Sequence, residues 1–382
     1  MKIFYYTWYE NSEKDIAESL VKAGHDVVKC HIPFANYEED TLFCENLERL
    51  FLEHSCELFF SFNFFPLIAK VAEKLQKRYI SWVYDCPHNT LYSPAILSKY
   101  VSVFAFDKAQ YYWLQSVKSE QVYHMPLAVN TERLNALLGC ELSDTTYKYD
   151  VSFVGSLYEK NLYRQINYLP EYLRGYIQGV VAAQQKIYGY NLVGDSLTDE
   201  VFEEIRRCVV MNLDESYLAD GRQLYLDMIN AEVTHQERVA LLNAAADYFD
   251  VTLFSASEPA LVPQIVCGGT VSYETEMPRV FRESKINLNI TLRSITSGIS
   301  LRALDIMGAG GFLLTNYQPE IAEYFVDGEE VVMFESKDDM LNKIAYYLEH
   351  EDERKQIAYN GWLKVQREFS YASQLDKIFR MI

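Results

Sequence analysis

One pattern limits the fold of this chain more than any other: strand and helix signals alternate along its first 130 residues. Short apolar runs at residues 2–6, 26–32, 58–62, 79–84, 101–106 and 122–125 are separated by segments with helical spacing. Ser12, with Asp15 three residues later, marks a helix start; Ile16, Leu20 and Val21 form its apolar stripe and Gly24 stops it. A helix is expected over 38–53 with Leu42, Leu47 and Leu50 facing inward, another over 66–76, and a short one over 110–117. Strands joined by helices pair in parallel through right-handed crossovers, because a two-residue turn cannot return the chain in the same direction. The expected product is a doubly wound α/β sheet, which binds ligands beyond the carboxyl ends of its strands.

Residues 130–149 are polar and read as a linker. A strand at 150–154 opens a second set. From 157 to 249 helical patterns follow one another without strands, best formed at 157–173, 199–209 and 219–248, which suggests a helical insertion. The alternation resumes with strands at 251–254, 286–290 and 311–315. Ser336 caps a helix, with Asp339 three residues on and Met340, Leu341, Ile344 and Leu348 as its stripe. Helices at 353–360 and 362–380 finish the chain. At about 150 residues per domain, 382 residues suit two or three domains. The limits expected are 1–146 and 147–361, with the insertion at about 157–249, and a last helical segment, 362–382.

Composition narrows the function. A formal charge of −19 argues against general nucleic-acid binding and against docking on anionic lipid, since both need a basic face. The seven cysteines include no CxxC pair and are odd in number, which suits reduced thiols in a cytoplasmic protein. The first ten residues lack the pattern of a signal peptide, and no apolar run reaches about 18 residues, so no membrane span is expected. The histidines, at 25, 31, 54, 88, 124, 235 and 350, form no ligand pair, and no metal site is expected. Aromatic residues are plentiful, but their scatter suits core packing as well as sugar stacking.

The segment Ser294-Ile-Thr-Ser-Gly-Ile-Ser-Leu-Arg-Ala-Leu-Asp-Ile-Met-Gly-Ala-Gly-Gly311 follows an apolar strand. Its turn, Ser297, Gly298, Ile299 and Ser300, leads into a helix whose amino end exposes backbone N–H groups, a natural diphosphate site. Gly298 admits close backbone approach. Arg302, in the first turn, can add a charge-assisted hydrogen bond, and Asp305, one turn on, can accept from ribose hydroxyls. The same residues also read as an ordinary capped helix with a surface arginine.

The run continues as Gly311-Phe-Leu-Leu-Thr-Asn-Tyr-Gln-Pro-Glu320 and on to Phe334. Together these segments resemble the carboxy-terminal donor domain of GT-B glycosyltransferases of the family 1/4 type. More narrowly, they resemble proteins related to the spore maturation protein CgeB. The motifs that carry the resemblance are Asp150-Val-Ser-Phe-Val-Gly-Ser156, Ser284-Lys-Ile-Asn-Leu-Asn-Ile290, the Gly298-x-x-x-Arg302 turn and Asp305-Ile-Met-Gly-Ala-Gly-Gly-Phe312. The resemblance spans most of 150–382 apart from the insertion. The amino-terminal half matches more loosely, through Trp82-Val-Tyr-Asp-Cys-Pro87 and Met125-Pro-Leu-Ala-Val-Asn130.

The resemblance implies two Rossmann-like domains facing a cleft, with the acceptor on the first, the nucleotide sugar on the second and the last helix crossing back to the first. It implies a nucleotide-sugar donor such as a UDP-sugar, a glycan or protein acceptor, hexosyl transfer, and no metal. Many retaining members carry Glu-x7-Glu, whose second Glu holds the ribose; Asp305 stands at the second position and Ser297 at the first. Lys160 and Arg164, early in the second domain, are candidates for the diphosphate, although Lys160 also reads as a surface lysine. Tyr273 and Met277 are candidates for base contact. Asp85 and His88 follow the fourth strand, where either can act as general base; alternatively they only shape the turn around Pro87. Trp8 and Tyr9 either floor the acceptor site or pack. The function expected is sugar transfer from a nucleotide-diphosphate donor. The alternatives are a non-catalytic binding or assembly protein of the spore or cell surface, and a sugar-nucleotide epimerase.

Overall fold

The computed structural model describes residues 1–142 and 145–382. They form two compact units. The first comprises Met1–Asn130, Asp214–Asp220 and Glu368–Ile382; the second comprises Thr131–Leu213 and Gly221–Arg367. The chain thus passes between units at 130, 213, 220 and 367, where the sequence suggested limits at 146 and 361.

The first unit holds six parallel strands: β1 (Lys2–Tyr6), β2 (Asp26–Cys30), β3 (Leu58–Phe62), β4 (Arg78–Trp82), β5 (Val101–Ala105) and β6 (Val122–His124). Their order is β2-β1-β3-β4-β5-β6, with Ile3 opposite both Val27 and Leu58. Every residue of β3 and β5 is buried, as a parallel sheet covered on both faces requires. Helices Thr41–Glu53, Pro66–Leu75 and Lys108–Val117 cover one face around Phe43, Leu47, Phe51 and Phe59. Helices Glu13–Lys22 and Tyr371–Met381 cover the other, where Ile16, Leu20, Leu375 and Ile378 meet Ile3, Tyr5, Phe60 and Trp82. Two details depart from the sequence reading. Leu42 is 72% exposed; Asp40 caps this helix, so its inner stripe is Phe43, Leu47 and Phe51 at four-residue spacing. Ser12 precedes its helix without a side-chain cap bond.

The second unit holds β7 (Tyr149–Val154), β8 (Val251–Phe254), β9 (Val266–Gly269), β10 (Ser284–Asn289), β11 (Leu313–Asn316) and β12 (Val332–Phe334). All pairs are parallel, in the order β12-β11-β10-β7-β8-β9. β9 and β12 are additional to the strands expected. The order reverses between β7 and β10, which are neighbours although 129 residues lie between Val154, the end of β7, and Ser284, the start of β10, a stretch that holds the insertion, β8 and β9.

The insertion lies between β7 and β8 and encloses its own core of Leu173, Ile177, Val181, Phe202, Ile205 and Tyr225. The helix expected at 157–173 is instead a loop and a short 3-10 turn, Tyr163–Tyr168; Pro170 then starts the helix Glu171–Gln184, because a proline cannot sit inside one. The 25-residue helix Arg222–Ala246 serves two cores. Tyr225, Met228, Ile229 and Val233 belong to the insertion, and Leu241, Leu242 and Ala245 pack on the sheet. The stretch read as a linker begins with a helix, Thr131–Leu138; positions 143 and 144 of that stretch lie outside the described residues. The break expected near Gly361 is absent. Glu351–Glu368 runs through it, and the last helix starts at Tyr371 rather than at 362. A Cβ at Gly361 would collide with the Glu330 carbonyl oxygen, so this glycine allows close packing rather than stopping a helix.

Candidate functional site

The order reversal in the second sheet places the carboxyl ends of β7 and β10 side by side, the place where open α/β sheets bind ligands. β7 is followed by Gly155 and Ser156; Gly155 has φ 155°, a conformation that favours glycine. β10 leads through residues 290–300 into the helix Leu301–Gly308. Ser300 caps that helix by accepting from the Ala303 N–H at 3.4 Å. Gly298, Ile299 and Ser300 are buried and Ser297 is partly exposed. The free N–H groups of the first helical turn and the dipole behind them favour an anion.

Three of the sequence candidates meet at this helix, Arg302 and Asp305 on it and Tyr273 from the loop beside it. The Tyr273 hydroxyl donates to Asp305 Oδ1 at 3.2 Å, and Arg302 Nη1 lies 3.7 Å from Asp305 Oδ2. Arg302 also rests over the Phe281 ring, 5.5 Å from its centre, and donates to the Met277 sulfur. Arg133 stacks on Tyr273 at 5.4 Å. The group joins a buried carboxylate and a half-exposed guanidinium on one helical turn to a phenol from the loop before Glu276–Arg282, which suits a sugar hydroxyl beside a phosphate. Ser297 Oγ donates to Glu320 Oε1 at 2.7 Å, and the Glu320 N–H donates back to the Ser297 carbonyl at 3.0 Å. A carboxylate therefore stands beside position 297, brought by the helix Pro319–Tyr324. Lys160 and Arg164 are exposed, and no hydrogen bond among the described residues joins them to this cluster.

The sequence reading missed the middle of the helix Arg222–Ala246, which grips the loops at this sheet end. Thr234 accepts from the Arg293 N–H at 3.0 Å, and Glu237 holds the Arg293 guanidinium through bonds of 2.8 and 2.6 Å. Arg238 donates to the carbonyls of Ser156, at 2.6 Å, and Ile290. The signal was present: Arg238 falls on the helical face of Thr234, Leu241, Leu242 and Ala245. Next to this junction a small pocket opens at the ends of β10 and β11, lined by Thr291, Arg293, Thr296, Asn316 and Gln318 among others.

In the first unit, Asp85 and His88 follow β4. Asp85 is exposed, and its carboxylate accepts from Asn63 Nδ2 at 2.6 Å; Asn63 in turn accepts from the N–H groups of Tyr84 and Asp85. His88 Nε2 accepts from the Phe64 N–H at 3.1 Å and lies 2.7 Å from Thr90 Oγ1. Nε2 also lies 3.2 Å from the Phe64 carbonyl oxygen, so in either tautomer this nitrogen is committed to the loop. Burial holds this imidazole below its usual range, against an upward pull from Asp85. Trp8 and Tyr9 are exposed, at 37% and 70%. In the same turn, between β1 and the helix Glu13–Lys22, the sequence reading missed Glu10, a buried carboxylate that accepts from Tyr5, Thr7 and the Trp8 N–H.

Among the described residues, no group of three or more His, Cys, Asp or Glu side chains is placed to hold a metal ion, and no helix is long and apolar enough to cross a membrane. No curated protein matches the chain. Residues 236–380 match a family model described as glycosyl transferase-like. Among solved structures, sucrose-phosphate synthase from Thermosynechococcus elongatus is similar with a TM-score of 0.56 at 10% identity, over 100% of this chain and 98% of that one. A glycosyltransferase from Rickettsia africae gives 0.55 at 11% identity, over 99% and 97%. Anabaena HepE in complex with UDP gives 0.55 at 9% identity, over 100% of both chains. At these identities the likeness speaks for architecture, and the architecture of this chain is the GT-B fold.

Proposed function

We propose that this chain moves a sugar from a nucleoside-diphosphate donor to a glycan or protein acceptor. The observation that carries the reading is the Tyr273–Asp305–Arg302 cluster, set on the helix that follows β10 at the order reversal of the sheet. It lies inside the segment matched by the glycosyl transferase-like family model. Asp305 and Tyr273 suit the ribose and base side of the nucleotide. The turn through Ser297, Gly298, Ile299 and Ser300, with Arg302, suits its diphosphate and the charge that develops as the diphosphate leaves. Asp85 is the proposed general base toward the acceptor, being exposed and held by Asn63. His88 shapes the loop that presents it. Lys160 and Arg164 are retained only as outer contacts to a bound donor.

Three finer statements belong to the same proposal. The chain sits in the CgeB-like group, on the motifs given above. Its charge balance comes from arginines rather than a metal ion, so turnover survives chelation. It works in the cytoplasm, in keeping with seven cysteines that are all free thiols.

The test is thermal shift and turnover with a panel of UDP-sugars, UDP being the nucleotide bound in the HepE structure. UDP is expected to raise the melting temperature, and Asp305→Ala and Arg302→Ala are each expected to abolish the rise. Unchanged UDP responses in both variants would refute this placement of the donor. Binding without turnover on any sugar would instead favour a binding or assembly protein.

A further inference from the structure

Arg238 carries a positive charge into the interior without a carboxylate to meet it. The residue is 8% exposed. Its guanidinium is held by two main-chain carbonyls, those of Ser156 and Ile290, and by the rings of Phe153 and Tyr158 at 5.3 and 5.1 Å. The nearest acidic side chain in sequence, Glu237, is engaged through both oxygens by Arg293. No ion pair of Arg238 occurs among the described residues. Burial pulls its pKa down to about 10, with the nearby Arg302 charge pushing the same way against Tyr158 and Glu237, so it remains a cation at neutral pH.

A buried charge without a counter-charge is costly, and carbonyl bonds and rings offset only part of the cost. The position of this one is informative. Ser156 and Ile290 are the residues that follow β7 and β10, the two strands between which the sheet order reverses. A Cβ at Gly155 would stand 3.7 Å from Arg238 Nη1, so the chain passes the guanidinium there with hydrogen in place of a side chain. The carbonyls take three of its five N–H groups, one from each nitrogen, and leave two.

We propose that the missing counter-charge is the diphosphate of the bound donor, with Arg238 supplying the inner cation of the site and Arg302 the outer one. The inference rests on the donor reading above and adds a residue that neither the turn nor the motif contains. It also gives the insertion a purpose. The helix that carries Arg238 is anchored at its start in the insertion core and at its end on the sheet, which fixes the guanidinium at the strand ends. A cation held in advance loses little freedom when the anion arrives.

The experiment measures binding of UDP, uridine and inorganic pyrophosphate by calorimetry to the full chain, to Arg238→Gln and to Arg238→Lys. Arg206→Gln, an exposed arginine on the insertion, is the control. Arg238→Gln is expected to lose roughly tenfold or more in affinity for UDP and pyrophosphate and none for uridine. A purely structural role would lower all three together, or none, and either result overturns the proposal. Should the glutamine variant fail to fold, the lysine variant decides. A buried lysine loses its proton far more readily than arginine. Its pyrophosphate affinity, divided by the wild-type value at each pH, is therefore expected to fall as pH rises from about 6 to about 9; a flat ratio overturns the proposal. Wild-type binding of pyrophosphate without UDP would leave the anion site standing and remove the donor reading. Binding of neither removes both.

Discussion

A carboxylate can reach a turn from its own position or from a neighbouring helix. At position 297 the second route applies: Ser297 donates to Glu320, which is 1% exposed and fixed by its own N–H. If that carboxylate serves the sugar rather than the nucleotide, Glu320→Gln should leave UDP affinity within a few-fold and lower kcat about tenfold or more, because the amide keeps the Ser297 bond but loses the charge. Equal loss in Kd and kcat would assign Glu320 to nucleotide binding. Asp85 and His88 should separate in the same way. Asp85→Asn is expected to lower kcat and spare both UDP binding and the melting temperature. His88→Ala is expected to lower the melting temperature, since it leaves the Phe64 N–H without its acceptor, at a cost of about 1–3 kcal/mol. The proposed nucleotide end of the site could be drawn from the sequence, because strand, small-residue turn, Arg302 and Asp305 follow one another along the chain. Glu320 and Glu10 were not, because each reaches its place through folding and in sequence looks like an ordinary surface charge; for Arg238 the helical spacing marks a buried face but not the carbonyls it meets there.

The elements show how far periodicity carries. Of the twelve strands among the described residues, β9 and β12 escaped it. β9 is Val-Cys-Gly-Gly, exposed on the sheet edge and without an apolar pattern; β12 has three residues, too few for a period. Gly361 shows a different limit, since a glycine required by a crossing backbone looks the same in sequence as one that stops a helix. Gly361→Ala should therefore destabilise the second unit by about 1–3 kcal/mol, although alanine is the better helix former, and denaturant unfolding measures it. The helix Arg222–Ala246 permits a test with a pH sign. Burial raises the Asp227 carboxyl to about 7; Gln223 serves one oxygen at 2.9 Å, and the other has no partner. The unfolded value is lower, near 3.9, so between about pH 4 and 7 the folded state holds the extra proton and stability falls as pH rises. Above about 7 the penalty is complete. Asp227→Asn should therefore stabilise the insertion by roughly 1–3 kcal/mol at pH 8 and by much less at pH 5. A gain that does not depend on pH would mean that the carboxyl is ionised in both states throughout.

At the scale of the molecule, neither unit is a continuous piece of chain. The first unit takes its last helix from the far end of the sequence, and that helix is part of its core: Tyr371, Leu375 and Ile378 are at most 2% exposed and pack with Ile3, Tyr5, Ile16 and Trp82. The proposed nucleotide ligands, by contrast, all belong to the second unit. Each unit has its own sheet and its own buried clusters, so perturbations of one can be read apart from the other. Leu375→Ala removes a fully buried side chain from the first unit and should cost it about 2–5 kcal/mol. Ligand stabilises only the state that binds it, so UDP should raise the transition of the second unit and leave that of the first in place. Calorimetric melting of Leu375→Ala with and without UDP is expected to show two transitions, the lower one set by the mutation and only the upper one moved by nucleotide. A single transition that responds to both would mean that the units unfold as one. Hydrogen exchange then identifies the strands in each step: β1, β3 and β4 should exchange in the lower transition, and β7, β10 and β11 in the upper.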